Sequence, residues 1–319
     1  PDVVATCRAL GVGVDVVLAP RQAGASDHDG ALLLPRLSEL GAVITVSREI
    51  GAAQTLARDW RGSCLALSMG CPWIIRQPTI DAFEGRFVNT HAAPLPEWRG
   101  GGGFSWRVMA NDRRGASCLH MMTTGIDDGD IVARSDYVFP ASARTPLDWE
   151  RHALAFEKRL LVSFVEALVE GERFASTPQD PVRSTYMPRL HTDIHGWIDM
   201  DRPANEIERV VLAFSRPYPG ARTLLNNKPA RIFDAFPAEG WAAPHPFMRG
   251  LVFRLDGDVA LVHVADGHLR LRASDIVGPR AIRVGDRLWT PRSILDRAAT
   301  RRAVYDVDGL VGEVPEIDA

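Results

Sequence analysis

The sequence predicts an α/β protein: a doubly wound, mostly parallel sheet followed by a smaller C-terminal β-barrel unit. Three observations carry that prediction. Short β-branched runs alternate with helical periodicity through the first half of the chain, the pattern of a parallel sheet covered by helices on both faces. One long amphipathic segment then closes that half. Beyond it the β runs shorten and are separated by Asp-Gly pairs, the chemistry of hairpins.

A helix is expected over residues 3–10, after a Pro-Asp start that suits a helix N-terminus. Residues 14–19 form a short apolar, β-branched run and so a buried strand. The polar, Gly-containing stretch 22–30 reads as a loop, 32–40 as a helix, 42–46 as a strand, 50–59 as a helix and 64–69 as a strand. Phe87-Val88-Asn89 begins another. Doubly wound folds open on a strand and this chain opens on a helix, so a further strand ahead of Pro1 is expected. Two strand-like runs, 118–123 and 131–138, flank the acidic segment Gly125-Ile126-Asp127-Asp128-Gly129-Asp130. Residues 145–170 carry Leu154, Leu160, Leu161, Phe164, Val165 and Leu168 on one helical stripe, which stops at Gly171. The polar stretch 174–193, with Pro178, Pro181 and Pro188, reads as a linker. A short helix over 204–214 follows, then β runs at 230–235, 250–255, 259–264 and 268–273. Asp256-Gly257 and Asp266-Gly267 divide the last three. The division expected is a catalytic domain over 1–175, a linker over 176–195 and a β domain over 196–319.

Composition removes several functional classes. The chain has 319 residues, room for two domains or for one large domain with an appendage. Hydrophobic residues make up 46% and charged residues 24%, an ordinary balance for a globular protein. No apolar run approaches the roughly 20 residues of a membrane helix, and no basic, apolar leader opens the sequence. Cys7, Cys64, Cys71 and Cys118 form no CxxC pair and lie in apolar runs. They read as small buried thiols in a reducing compartment, so a cytoplasmic location is expected. The formal charge of −3 and the lack of a basic stripe disfavour a nucleic-acid partner, Arg113-Arg114 and Arg301-Arg302 being isolated doublets. A homodimer is compatible with the sequence. Asp27-His28-Asp29 looks like a metal cluster, but adjacent residues cannot all face one ion, so no metal is expected there. Gly11-Val12-Gly13 lacks the rest of a dinucleotide fingerprint.

The segment Phe87-Val88-Asn89-Thr90-His91-Ala92-Ala93-Pro94-Leu95-Pro96-Glu97-Trp98-Arg99-Gly100 carries the chemistry. A strand delivers an amide and an imidazole two residues apart, so both project from one face. The prolines make the turn rigid, and Arg99 leads into the glycines Gly100, Gly101, Gly102 and Gly103. Polar groups just past a strand's C-terminal end lie where doubly wound sheets bind ligands. The glycine run is either a flexible loop or a backbone surface close to a substrate. Trp98, Phe104 and Trp106 either stack on a substrate ring or pack in the core.

Asn-x-His, Pro-x-x-Arg-Gly and Gly-Ile-Asp-x-Gly-Asp-Ile, in that order and spacing, resemble the signature of the 10-formyltetrahydrofolate-dependent formyltransferases. That family includes methionyl-tRNA, glycinamide ribonucleotide and sugar N-formyltransferases. The likeness continues through His195-Gly196-Trp197-Ile198-Asp199 and Arg216-Pro217-Tyr218-Pro219-Gly220-Ala221, which is similar to the C-terminal barrel of the methionyl-tRNA enzymes. It is weakest in the first sixty residues and after about Ala235. The resemblance implies a Rossmann-like formyltransferase fold with an OB-like second domain. It implies 10-formyltetrahydrofolate as co-substrate, without a metal, and Asn89, His91 and Asp127 as the catalytic trio. Ser68, Met69 and Gly70, with Gly125, Ile126, Asp128 and Asp130, are expected to line the pterin slot. Trp98, Arg99, Gly100, Gly101, Phe104 and Trp106 are expected on the acceptor side, and His120 behind the trio.

The acceptor is read from departures. The tRNA enzymes usually carry Ser-Leu-Leu-Pro where this chain has Ala93-Pro94-Leu95-Pro96, and a basic loop where residues 20–30 offer only Arg21 against Asp27 and Asp29. Acidic residues there repel phosphates. The expected acceptor is therefore a primary amine on a small molecule, such as a nucleotide-linked amino sugar or a secondary-metabolite intermediate. A methionyl-tRNA formyltransferase, a 10-formyltetrahydrofolate hydrolase and a non-catalytic folate-binding protein are the alternatives.

Overall fold

A computed structural model describes residues 1–27, 30–60, 64–238 and 243–315. His28 and Asp29 of the acidic loop lie outside the described residues. The first half runs α1 (Asp2–Ala9), β1 (Asp15–Leu18), α2 (Pro20–Ala23), α3 (Leu33–Glu39), β2 (Val43–Val46), α4 (Gly51–Asp59) and β3 (Ala66–Ser68). It continues with α5 (Gln77–Ala82), β4 (Phe87–His91), β5 (Arg99–Gly100), α6 (Gly103–Ala110), β6 (Arg114–Met121), β7 (Ile131–Val138) and α7 (Pro146–Val169). The alternation read from the sequence is thus present, with α2, α5 and β5 added, α2 running into the stretch read as a loop.

β1 pairs with β2 and β3 with β4, both in parallel; β4–β6 and β6–β7 run antiparallel. The antiparallel end follows from the connection: only the acidic loop joins β6 to β7, and a parallel return needs a crossover of a dozen or more residues. α7 starts at Thr145, whose hydroxyl accepts from the Asp148 N–H while the Asp148 carboxylate accepts from the Thr145 N–H. That reciprocal cap and Pro146 fix the helix start. Its inner stripe buries Leu161 and Phe164 against Val88 of β4 and Leu119 of β6. The long helix is therefore the floor under the two strands that carry the polar residues of interest.

The stretch read as a linker is built into the structure. β8 (Tyr186–Met187) pairs in parallel with β5, Thr177 bridges Ile131 in both directions, and α8 (Thr192–His195) follows. Then come α9 (Ala204–Ala213), β9 (Ala221–Leu225), β10 (Lys228–Ile232), β11 (Phe236–Ala238), β12 (Val252–Asp256), β13 (Val259–Val264), β14 (Gly267–Arg272), β15 (Ile276–Val277) and β16 (Leu288–Trp289). They form two four-stranded antiparallel sheets, in the orders β15-β10-β9-β16 and β11-β14-β13-β12. α10 (Arg292–Thr300) leads to a terminal hairpin, β17 (Arg301–Asp306) and β18 (Gly309–Pro315).

One core crosses the chain. Val108, Phe139 and Trp149 of the first half pack in the same cluster as Ile207, Val211 and Ile232 of the second. Arg144 adds a polar tie, bridging Glu208 (2.8 Å) and Asp234 (2.9 Å). Cys7 and Cys118 are buried, as expected, whereas Cys64 and Cys71 are only partly covered. Among the described residues no helix is long and apolar enough to cross a membrane. Replacing Leu161, 1% exposed, by alanine is expected to cost about 2–5 kcal/mol through the cavity left beneath β4. A urea midpoint within error of the unchanged protein would contradict that floor role.

Candidate active site

β4 turns Asn89 and His91 to the same side, and the β4–β6 register sets Asn89 opposite His120. The loop after β6 returns Asp127 to both, in the left-handed region (φ 48°). Three side chains and one backbone N–H converge on the Asp127 carboxylate. Its Oδ1 accepts from Asn89 Nδ2 at 3.4 Å and lies 3.5 Å from His120 Nε2. Its Oδ2 accepts the Gly100 N–H at 2.9 Å and lies 3.5 Å from His91 Nδ1.

The histidine partners restrict where the protons sit. His91 Nε2 is 2.9 Å from the Trp98 carbonyl, which can only accept, so that nitrogen donates. Its Nδ1 faces a carboxylate, so a doubly protonated ring satisfies both sides. His120 Nδ1 is 3.0 Å from the Met121 carbonyl and donates there, while its Nε2 lies 3.1 Å from Asn89 Nδ2 and 3.5 Å from Asp127 Oδ1. Burial opposes ionisation of Asp127, yet the His120 hydrogen bond, the His91 charge and the Gly100 N–H hold its carboxyl down at about 2. A carboxyl so placed is an anion at any physiological pH.

The acidic loop is held by groups outside the expected set. The Gln179 amide donates to the carbonyls of Asp127 (2.8 Å) and Gly129 (2.7 Å). Its Oε1 accepts from Arg99 Nε and Nη2 at 3.1 and 2.8 Å. Gly129 is packed so closely that a Cβ would strike the Met121 carbonyl. Asp128 accepts the Thr123 hydroxyl and Asp130 accepts Ser176 Oγ at 2.9 Å. These two carboxylates are tied into the loop's own frame and do not line the cleft.

The cleft over this cluster has a volume of about 860 Å³. Asn89, His91, His120 and Asp127 open onto it, as do Ser68, Gly70, Gly125, Ile126, Gly100 and Gly101. Met69 is 46% exposed and stands off the lining. Four residues expected on the acceptor side are engaged elsewhere. Phe104 packs on Phe139 and Trp149, and the Trp106 indole donates to the Pro188 carbonyl at 2.8 Å. The Trp98 indole donates to Asp112 at 3.1 Å, and Arg99 grips Gln179. The opposite wall comes from Tyr186, Arg189 and His191 of the presumed linker and from Phe214, Tyr218 and Tyr305 further on. Tyr186, Arg189 and His191 left no mark in the sequence, because a polar, proline-rich stretch carries no periodic signal. Gln179 was missed for the same reason. Tyr218 lies in the Arg216–Ala221 motif, but nothing in the sequence placed it at the cleft. Among the described residues no group of His, Cys, Asp or Glu converges in a way that could hold a metal ion.

Comparison with known proteins agrees with this geometry. The family model "Formyl transferase" matches residues 63–165, and "Formyl transferase, C-terminal domain" matches 192–286. A methionyl-tRNA formyltransferase of Cereibacter sphaeroides is 29% identical over 236 residues, covering 73% of this chain and 76% of its own length. A sugar 3N-formyl transferase, crystallised in the presence of dTDP and 5-N-formyl-THF, superposes with a TM-score of 0.63 at 18% identity. It covers 84% of this chain and 93% of its own. An N-formyltransferase from Helicobacter canadensis, in complex with folinic acid and dTDP-3-aminofucose, gives 0.62 at 17% identity, with 81% and 88% covered. At these identities the two structures speak for the fold. Together the two family models span more than half of the sequence, including Asn89, His91 and Asp127, and the chain belongs to the formyltransferase family.

Proposed function

We propose that the chain transfers a formyl group from 10-formyltetrahydrofolate to a primary amine on a small molecule, at the cleft over Asn89, His91 and Asp127. The observation that carries the reading is the shared carboxylate: one aspartate anion is in contact with an amide, an imidazole and a backbone N–H at the floor of an open cleft. The cleft suits the co-substrate. Among the described residues Ser68 Oγ, buried on its wall, has no hydrogen-bond partner. Ile75, Met122 and Ile126 add apolar surface around the backbone of residues 123–126. Apolar walls with a few unspent polar groups fit a flat heterocycle with polar edges.

The co-substrate supplies the formyl carbon. The acceptor nitrogen bonds to that carbon, the donor nitrogen leaves, and the proton lost by the amine balances the one gained by the donor nitrogen. Negative charge grows on the formyl oxygen meanwhile. The Asn89 amide and the His91 Nε2–H, which here donate to Asp127 and to the Trp98 carbonyl, are the donors that would turn to it. Asp127 faces His91 Nδ1 at 3.5 Å and so orients the ring. At about 2, its carboxyl is too weak a base to hold the amine proton for long, so water is the carrier that fits.

Several observations favour a small acceptor. The chain's net charge is −3, and the far wall is made by the chain's own later segments, including a tyrosine of the terminal hairpin. A cytoplasmic location goes with this reading. The methionyl-tRNA relatives keep charged initiator tRNA as the second acceptor to test.

His91→Ala and Asn89→Ala are each expected to lower transfer by about 10²–10³-fold while 10-formyltetrahydrofolate still binds. The assay follows tetrahydrofolate release with nucleotide-linked amino sugars, other small amines and charged initiator tRNA. Release that ignores every amine would replace the transferase reading with a hydrolase. Folate binding without any release would leave a binding protein. Gln179→Ala is expected to lower kcat by about tenfold or more by loosening the Asp127 loop, the cost typical of misplacing a positioned group. An unchanged kcat would remove Gln179 from the site.

The depressed carboxyl also gives a stability test. A group whose folded value lies below its unfolded value of about 3.9 stabilises the fold above that pH and ceases to as pH falls through the folded value. The urea-midpoint difference between the unchanged protein and Asp127→Asn should therefore shrink between about pH 4 and pH 2. A difference that stays constant over that range would contradict the depressed value.

A further inference from the structure

The outer end of the cleft carries charge that the formyl-transfer chemistry does not use. Two carboxylates line the cleft, and both are occupied. Asp127 serves the histidines, and Asp193 is paired with Arg231 at 2.9 Å and Arg222 at 3.2 Å. Two arginines, Arg21 and Arg189, also line it, and among the described residues neither has a carboxylate within ion-pair distance. Arg189 lies 4.0 Å from the centre of the Tyr305 ring. Tyr305 is itself fixed, its hydroxyl donating to the Leu190 carbonyl at 2.9 Å. Burial pushes the Tyr305 hydroxyl up; the charge of Arg189 and, after the opposing effect of Tyr218, that of Arg21 pull it down.

Tyr305 arrives on an element outside the matched family domains, which end at residue 286. Its hairpin is pinned at both ends. Arg301 accepts a hydrogen bond from His195 Nε2 at 3.0 Å, and Asp308 takes a fork of bonds from Arg48, 2.6–3.1 Å long. The same Arg48 offers its carbonyl to the indole of Trp73, another cleft residue. The hairpin thus bounds the cleft from the C-terminal side and holds an aromatic face against a free guanidinium.

We propose that Arg189, stacked on Tyr305, together with Arg21 of the same cleft lining, binds an anionic group, a carboxylate or a phosphoryl, carried by the amine acceptor. This rests on the reading of the cleft as a site of formyl transfer to a small amine. An unpaired, planar guanidinium facing a cleft binds such groups through paired N–H donors and is easily stripped of water. Arg189 sits on the wall that abuts the glycine run: a Cβ on Gly101 would press on the Arg189 stem. Gly101 follows Gly100, whose N–H is bonded to Asp127. Arg21 precedes Gln22, whose side-chain amide donates to the Gly70 carbonyl at 3.2 Å, so it enters the cleft beside the Ser68–Gly70 wall, whereas Arg189 enters beside the glycine run. Two cations without internal partners also raise the local concentration of an anionic acceptor.

The test compares acceptors in matched pairs, a nucleotide-linked amino sugar against the free amino sugar and an amino acid against its amide. The enzymes are the unchanged one and Arg189→Met, which keeps the stem and loses the charge. The unchanged enzyme should favour the anionic member by about tenfold or more in kcat/KM, and Arg189→Met should erase most of that preference by raising the acceptor KM. The KM for 10-formyltetrahydrofolate should stay put. Arg21→Met should act in the same direction. Equal use of both members by the unchanged enzyme overturns the proposal. So does a rise confined to the donor KM, which would assign the arginines to the folate carboxylates, or a preference seen only with charged initiator tRNA. Calorimetric titration of the nucleotide-linked amino sugar into enzyme saturated with 5-formyltetrahydrofolate separates binding from turnover. Arginine-dependent binding without transfer would sink the transferase reading alone. Transfer without arginine-dependent binding would sink this one alone.

Discussion

A buried anion organises the candidate site. The Asp127 side chain is only 17% exposed, and an uncompensated carboxylate at that depth would cost several kcal/mol. Compensation comes from four directions: the Asn89 amide, His120, His91 and the Gly100 N–H. Three different pieces of chain deliver those groups. β4 brings two, β6 brings one, and the glycine corner before α6 brings the last. The carboxylate therefore sets the demand on the rest of the structure, which is to hold a strand pair, a loop and a corner in register to within hydrogen-bond distance.

The means are visible one layer out. α7 packs Leu161 and Phe164 under β4 and β6, which fixes the strands. Gln179 ties the loop carbonyls to Arg99, so the loop and the corner move as one. The corner needs glycine at position 100: its φ is +95°, and a Cβ would run into the Met187 carbonyl and the Tyr186 ring. β8 lies there because β5 pairs with it. Loop, corner and the 176–195 segment are thus mutually dependent, and this interlock explains how a polar, proline-rich stretch comes to be ordered at all.

The second half of the chain completes the cleft. Its contribution is unequal: the two antiparallel sheets supply core, while the cleft wall is built from the turn after α9 and from the terminal hairpin. The division fits a common logic in which a packed scaffold is left alone and the segments around it carry recognition. The proposed anion-binding arm, Arg21, Arg189 and Tyr305, is drawn from three separate segments. Among the described residues its two guanidiniums have no carboxylate partner, whereas most other arginines around the site are spent on carboxylates or carbonyls.

The sequence alone determined the alternating elements, the long capped helix, and the identity and order of Asn89, His91 and Asp127. Those features are local: periodicity, caps and a short motif each lie within one stretch of chain. It did not determine which residues face the cleft. Phe104 and Trp106 read equally as substrate platforms or as core, and only packing against Phe139, Trp149 and the Pro188 carbonyl decided it. Asp128 and Asp130 sit in the same motif as Asp127, but the loop turns their carboxylates onto Thr123 and Ser176. Gln179, Arg189 and Tyr305 stand roughly 50, 60 and 180 residues along the chain from Asp127, and no local pattern marks them. Their roles come from contacts closed only when distant segments meet, which a one-dimensional pattern cannot encode because it records neighbours in sequence, and the cleft is made of neighbours in space.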